Sequence, residues 1–234
     1  LGGKTAGTVT VTNAVAIEGT TAEVTAALVT AGTLVVVSDA EVTITNTPTI
    51  AELNAIAAKT TGVVTATLAA DSLANLGALT TAGTDAITIT VNDANAAALT
   101  AANLSALGGK TAGTVTVTNA VAITGDHDQV TAALVTAGTK VEVDDATVTI
   151  NDANATEITA AELSAIGGAT LGTVTVTNAV AIEGTEAQVT AALVTGGTKV
   201  EVDDATVSIT NTPTIAELNL IAAETAGVVT ATLA

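Results

Sequence analysis

Seven aspartates stand where extended runs should bend: Asp39 after Ser38, Asp93 after Asn92, Asp144 with Asp145, Asp152 after Asn151, and Asp203 with Asp204. Carboxylates stacked with carbonyls at recurring bends suit calcium, a hard cation that takes about six to eight oxygen ligands. Those seven residues are the candidate metal ligands, and calcium is the candidate cofactor. A local role competes with that reading. Asp and Asn make corners because their side chains bond nearby backbone N–H groups and tolerate unusual dihedrals. The chain carries neither a glycine-rich calcium nonapeptide nor an EF-hand loop, which favours the local role.

The only histidine lies in Gly125-Asp126-His127-Asp128. Flanking acids would raise its pKa or offer it as a ligand. With no second imidazole and no cysteine it makes a poor transition-metal site, so a helix-start cap is expected there. Asn13, Asn119 and Asn178 hold the same place in three TVTVTNAV runs, in phase with the inward valines. A buried amide needs partners, so these three are expected to form a structural ladder, bonded to corner backbone or to the next amide. No catalytic grouping emerges: no histidine stands beside a nucleophile by motif, and no phosphate loop appears. The chain is expected not to be an enzyme. Threonine arrays also line ice-binding solenoids, but no single TxT motif spans all the repeats here. Asn103-Leu104-Ser105 and Asn154-Ala155-Thr156 match the glycosylation sequon, the first inside an expected helix.

Composition narrows the function further. The 234 residues include no Phe, Tyr, Trp, Cys, Met or Arg, and five lysines face 23 acids for a net charge of −18. A nucleic-acid partner is not expected, because no basic patch can neutralise phosphate and no ring can stack on a base. Threonine or glycine interrupts every apolar run, so no membrane span is expected. Without methionine, residue 1 is not an encoded start, and the chain reads as a processed product or a piece of a longer one.

The elements that position these residues come from internal repetition. Residues 1–69 match residues 166–234 at 55 positions, a long period of 165 residues. Within it, a glycine followed by Thr or Val recurs at Gly7, Gly32, Gly62, Gly83, Gly113, Gly138, Gly172, Gly197 and Gly227, about 27 residues apart on average. Before each glycine the apolar spacing is helical, as in Val24, Ala27, Leu28 and Ala31, or Ile50, Leu53, Ile56 and Ala57. Pro48 and Pro213 are expected in first helical turns, and the recurring glycine is expected as a C-terminal stop. After the glycine the period becomes two. Val9, Val11, Val15 and Ile17 share one face, and most repeats add a second strand after a polar bend. The 21-residue step from Gly62 to Gly83 leaves little room for that second strand.

A unit of one or two short parallel strands and a short helix on one side cannot bury its apolar face alone. The expectation is an α/β solenoid running continuously over residues 1–234, a fragment of a longer array or filament. Its core should contain Val9, Val11, Leu28, Leu53, Ile56, Val141, Val148, Leu163 and Leu218, with Thr8 and Thr10 outside. Leu1 should enter at a helix end and Ala234 leave after a strand, with further copies of the chain covering the uncapped ends.

The segment TIAELNAIAAKTTGVVTATLA, with AAELSAIGG followed by GTVTVTNAV, resembles repeats of very large bacterial surface and adhesin-like proteins. Some of those carry hemolysin-type calcium repeats elsewhere. The resemblance covers nearly the whole chain and implies secretion, surface display and a spacer, adhesin or matrix role, without assigning any site residue. The expected function is a structural repeat of an extracellular filament, sheath or adhesin, with copies of itself as partners. The alternative is a calcium- or carbohydrate-binding module that uses the acidic corners.

Overall fold

The computed structural model describes residues 2–32, 35–139, 141–198 and 200–233. The expected placements of Leu1 and Ala234 fall outside them. In chain order these residues form β1 (Val9–Val11), β2 (Ala16–Gly19), α1 (Thr21–Leu28), β3 (Val35–Val37), β4 (Glu41–Ile44), α2 (Ile50–Ala57), β5 (Val64–Thr67), α3 (Leu73–Leu76) and β6 (Ala86–Val91). Next come β7 (Ala98–Thr100), α4 (Ala101–Gly108), β8 (Val115–Val117), β9 (Ala122–Gly125), α5 (His127–Val130), β10 (Val141–Val143), β11 (Thr147–Ile150), β12 (Glu157–Thr159) and α6 (Ala160–Gly168). The last are β13 (Val174–Val176), β14 (Ala181–Gly184), α7 (Glu186–Val189), β15 (Val200–Val202), β16 (Thr206–Ile209), α8 (Ile215–Ala222) and β17 (Val229–Thr230). The architecture is α/β with parallel sheets.

The chain divides into two compact units. The first comprises Leu1–Asn92, Ala106–Val117 and Gly138–Val141. It holds the β1-β3 pair and the order β10-β8-β6-β5-β4-β2, which β10 enters at Val141. Strands one repeat apart pair in parallel: Ile17 lies opposite Val42, Val42 opposite Val64, and Ile89 opposite Val115. As expected for the short step, β5 stands without a second strand. The six-residue β6 then pairs with β5 through its first half and with β8 through its second. The second unit holds the orders β15-β13-β11-β9-β7 and β12-β14-β16-β17. Val148 lies opposite both Ile123 and Val174, and Ile182 opposite both Ile158 and Val207. Like residues therefore meet across the strands, and alternation buries one face of each while Thr, Ser and Glu occupy the other.

Short helices survive because their first turns are capped. Thr20, Thr49, Thr159 and Thr214 each accept from the backbone of a Glu three residues on, whose carboxylate returns to the threonine N–H. These capping boxes satisfy donors that would otherwise be orphaned. Thr185 and Gln188 repeat the arrangement. The Thr-x-x-Glu spacing is visible in the sequence and puts the α2 cap at Thr49. Pro48 and Pro213 are consequently one residue before the cap, not in the first turn, and both are buried. That is the site from which an apolar residue braces the fourth helical position.

Most of the expected core is buried: Leu28, Leu53, Ile56, Val141, Val148 and Leu163, with Thr8 and Thr10 exposed. Val9, Val11 and Leu218 are only half-buried. The identical triplet in β8 and β13 is buried, so side-chain chemistry is not the cause. β13 lies between two strands, whereas β1 pairs with β3 alone. In the same way, Asn54 of α2 bonds Ala78 O at 2.9 Å and the Thr80 N–H at 2.8 Å in the following repeat, beside a buried Leu53. No described helix follows α8 to cover Leu218.

The glycines are not left-handed helix stops. Among the described residues no glycine has positive φ, while Ala96 and Ala155 have φ of 59° and 61°. The two alanines hold the same turn in Asn-Asp-Ala-Asn-Ala sequences, and each N–H reaches a carbonyl of the next repeat at 2.7 Å. An alanine in that region costs about 1–2 kcal/mol. Glycine there would lose about 0.5–1 kcal/mol more on ordering. Ala155→Gly should therefore stabilise the protein by about 0.5 kcal/mol, read as a higher urea midpoint at unchanged slope. A lower midpoint would contradict this account of the turn.

Candidate functional site

The corners spend their backbone on the neighbouring repeat. Ser38, Asp144 and Asp203 accept through their carbonyls from the N–H groups of Thr61, Leu171 and Ala226 at 2.6–2.9 Å. The side chains of Asp39, Asp144, Asp145, Asp203 and Asp204 are exposed, Asp93 is half-buried and Asp152 is buried. Among the described residues no three His, Asp or Glu side chains converge in a way that could hold a metal ion. The candidate calcium ligands are thus placed at corners, as read from the sequence, without being brought together.

A Thr-x-Gly sequence fastens each of these contacts. Thr60 donates to Ala40 O, Thr170 to Ala146 O and Thr225 to Ala205 O, each at 2.6 Å. Each hydroxyl also accepts from the glycine N–H two residues on, at 2.9–3.0 Å. Thr111 does the same between Ile87 O and the Gly113 N–H, at 2.7 and 2.8 Å. The glycine is needed for close approach. A Cβ at Gly62, Gly113, Gly172 or Gly227 would overlap the carbonyl of Ala40, Ile87, Ala146 or Ala205, respectively. By contrast, a Cβ at Gly32, Gly138 or Gly197 would meet nothing within 4 Å. The shared glycine-Thr/Val spelling therefore hides two kinds of position.

Asp85 is a buried carboxylate that sequence reasoning missed. It accepts from the Val64 N–H at 2.8 Å and the Ala82 N–H at 2.9 Å. In ordinary repeats the equivalent N–H bonds a strand carbonyl, as Val42 does with Val63 O and Val148 with Thr173 O. In the short repeat the side chain takes over that acceptor role.

His127 is the first residue of α5, and the cap is Asp126, which accepts from the Gln129 N–H at 2.7 Å. The imidazole turns instead to the following repeat. Asp152 receives the His127 backbone N–H at 2.7 Å and faces Nδ1 at 2.8 Å, while Asp128 lies 3.5 Å from Nε2. Burial pushes the imidazole pKa down. The hydrogen bond and charge of Asp152, with the charges of Asp128 and Glu162, outweigh that effect and raise it.

The capping glutamates shift the other way. Glu23, Glu52 and Glu217 are held below the usual carboxylate range by the backbone N–H and then the hydroxyl of their threonines. For Glu162 the Thr159 hydroxyl comes first and the backbone N–H second. A raised His stabilises fully below its ordinary 6.5, and the gain fades as pH climbs through the raised value. A lowered Glu stabilises above its ordinary 4.5, and the gain fades as pH falls through the lowered value. Tm should therefore peak between those two limits and decline on either side. Circular-dichroism melts across pH 3 to 9 (about half-unit steps) check this. A Tm that rises between about pH 7 and about pH 9 would contradict the sign.

Asn119 and Asn178 are half-buried and donate from Nδ2 to Asp93 O and Asp152 O, each at 2.6 Å. Both amides therefore donate to corner carbonyls. Asn13 is exposed. Of the two sequons, Asn103 lies in α4 and Asn154 in an exposed turn. A surface groove lined by Glu157, Glu183, Thr206, Ser208, Val228 and Thr230 runs across β12, β14, β16 and β17. No helix among the described residues is long and apolar enough to cross a membrane. Comparison with protein-family models, with curated proteins and with solved structures finds no match to this chain.

Proposed function

We propose that the chain is a structural repeat segment of a bacterial extracellular filament, sheath or surface adhesin, in which repeats stack as an α/β solenoid and serve as scaffold or spacer. The reading rests above all on the recurrent Thr-x-Gly contact. The same residues join one repeat to the next at Thr60, Thr111, Thr170 and Thr225, so polar side chains are used for continuity along the array. Parallel pairing of like residues one repeat apart supports the same role, because such an interface can be extended by any further copy. Copies of the chain, in one polypeptide or head to tail, are the proposed partners, without nucleic acid and without enzymatic activity.

Diffraction or cryo-imaging of native assemblies tests the reading. Strands should be spaced about 4.8 Å along the long axis, and six repeats of the long period should advance about 29 Å. A protein that remains monomeric at high concentration and shows no axial repeat in native material would sink it. Thermal melts address the calcium alternative. Sodium chloride should raise Tm by screening the −18 charge. A much larger rise at equal ionic strength with calcium would favour the binding module.

A further inference from the structure

Residues 114–150 and 173–209 are 31/37 identical, so two stretches of this chain are nearly interchangeable as sequence. Their six differences are not scattered. Thr124/Glu183, Asp126/Thr185, His127/Glu186 and Asp128/Ala187 cluster at one helix start, leaving only Ala137/Gly196 and Thr149/Ser208 elsewhere. That helix start is also where each stretch meets the repeat that follows it.

The contact has one geometry and two chemistries. At Thr21, both the backbone N–H and the hydroxyl donate to Asn46 Oδ1, at 2.6 and 2.9 Å. The Glu186 N–H donates to Asn211 Oδ1 at 2.6 Å, and its carboxylate turns back to the Thr190 hydroxyl at 2.7 Å. The His127 N–H donates to Asp152 Oδ2 at 2.7 Å, and the imidazole covers the other oxygen at 2.8 Å. Where the acceptor is a neutral amide, the opposing side chain is a hydroxyl or a carboxylate. Where the acceptor is a buried carboxylate, it is the only histidine in the chain.

We infer that this helix-start contact is a matching key that determines which repeat can follow which. An asparagine accepts any helix start, because it needs only the backbone N–H. Asp152 disfavours a repeat that begins with Glu186, because a second carboxylate would then stand beside the buried one with no cation between them, even when turned back to a threonine as Glu186 turns to Thr190. Nearly identical strands would otherwise tolerate slipping by 59 positions, the offset between the two stretches, at little energetic cost. The key adds a repulsive element against that slip, which is how closely similar partners are told apart. Asp126, Asp128 and Glu162, the other charged groups around the imidazole, are all acidic. They reinforce the demand for a donor or cation at position 127.

A double-mutant cycle on the full chain tests the inference. His127→Glu should lower Tm by roughly 10 °C or more. Asp152→Asn alone should shift it by only a few degrees (about 5 °C at most), since an amide still accepts the backbone N–H. The double variant recreates the Glu186–Asn211 chemistry and should recover most of the loss. Asn211→Asp, which places a carboxylate against Glu186 at an exposed position, should lower Tm at low salt by less than the buried pair does, so the key remains testable if His127→Glu fails to fold. Equal Tm values for His127→Glu with and without Asp152→Asn, or an innocuous Asn211→Asp, would overturn the inference while leaving the structural role untouched.

Discussion

Gly172→Ala should destabilise the protein by about 3 kcal/mol or more, whereas Gly138→Ala should be neutral or stabilising by up to about 1 kcal/mol. Both glycines precede a threonine, and both belong to the same recurrence. They differ in what lies beyond them. A Cβ at Gly172 enters the space of the Ala146 carbonyl and also comes within 2.8 Å of Asp145 O. Neither obstacle is a flexible side-chain tip. Relief requires the two backbones to separate, which would strain the Thr170 hydroxyl bond to Ala146 O and the Leu171 N–H bond to Asp144 O. At Gly138 the space is empty, so alanine only reduces the freedom of the unfolded chain. Urea titration of the two variants measures the contrast, and similar midpoints would refute the close-approach account.

Asp85→Ala should cost about 2–3 kcal/mol, and Asp85→Asn roughly half as much. The alanine variant leaves the buried N–H of Val64 without its acceptor, while the N–H of the exposed Ala82 can turn to water. Asparagine retains one acceptor and turns an amide donor towards the other N–H. Unlike Asp39 or Asp204, whose side chains are exposed, Asp85 is an acid whose carboxylate completes a sheet. Loss of less than about 1 kcal/mol in Asp85→Ala would mean that another group serves those donors. Hydrogen exchange at Val64 locates the effect, because its amide should lose protection in the alanine variant.

Much of the local structure was legible in the chain. Apolar residues at spacings of three and four marked the helices, alternation marked the strands, and the 21-residue step correctly signalled a repeat short of one strand. The Thr-x-x-Glu boxes were legible too, although proline drew attention to the wrong residue as helix start. Each of these signals acts over a few residues, where backbone geometry alone determines which side chains share a face. The acidic corners were located for the same reason: a bend is a local event.

Other features required the neighbouring repeat. Val9 and Val174 are spelled alike in their strands but buried differently, because only Val174 has strands on both sides. Gly138 and Gly172 are spelled alike but separated by what a Cβ would touch. Asp152 stood among the candidate metal ligands, yet its carboxylate is committed to a histidine 25 positions earlier. Sequence by itself determined the repeats, the periods of helix and strand, the caps and the inward face. Tertiary structure alone decided which glycines are irreplaceable, which carboxylates are buried and which residues meet across repeats. Those outcomes depend on the distance between chain segments more than twenty positions apart, and a spacing of a few ångströms between backbones leaves no mark in local composition.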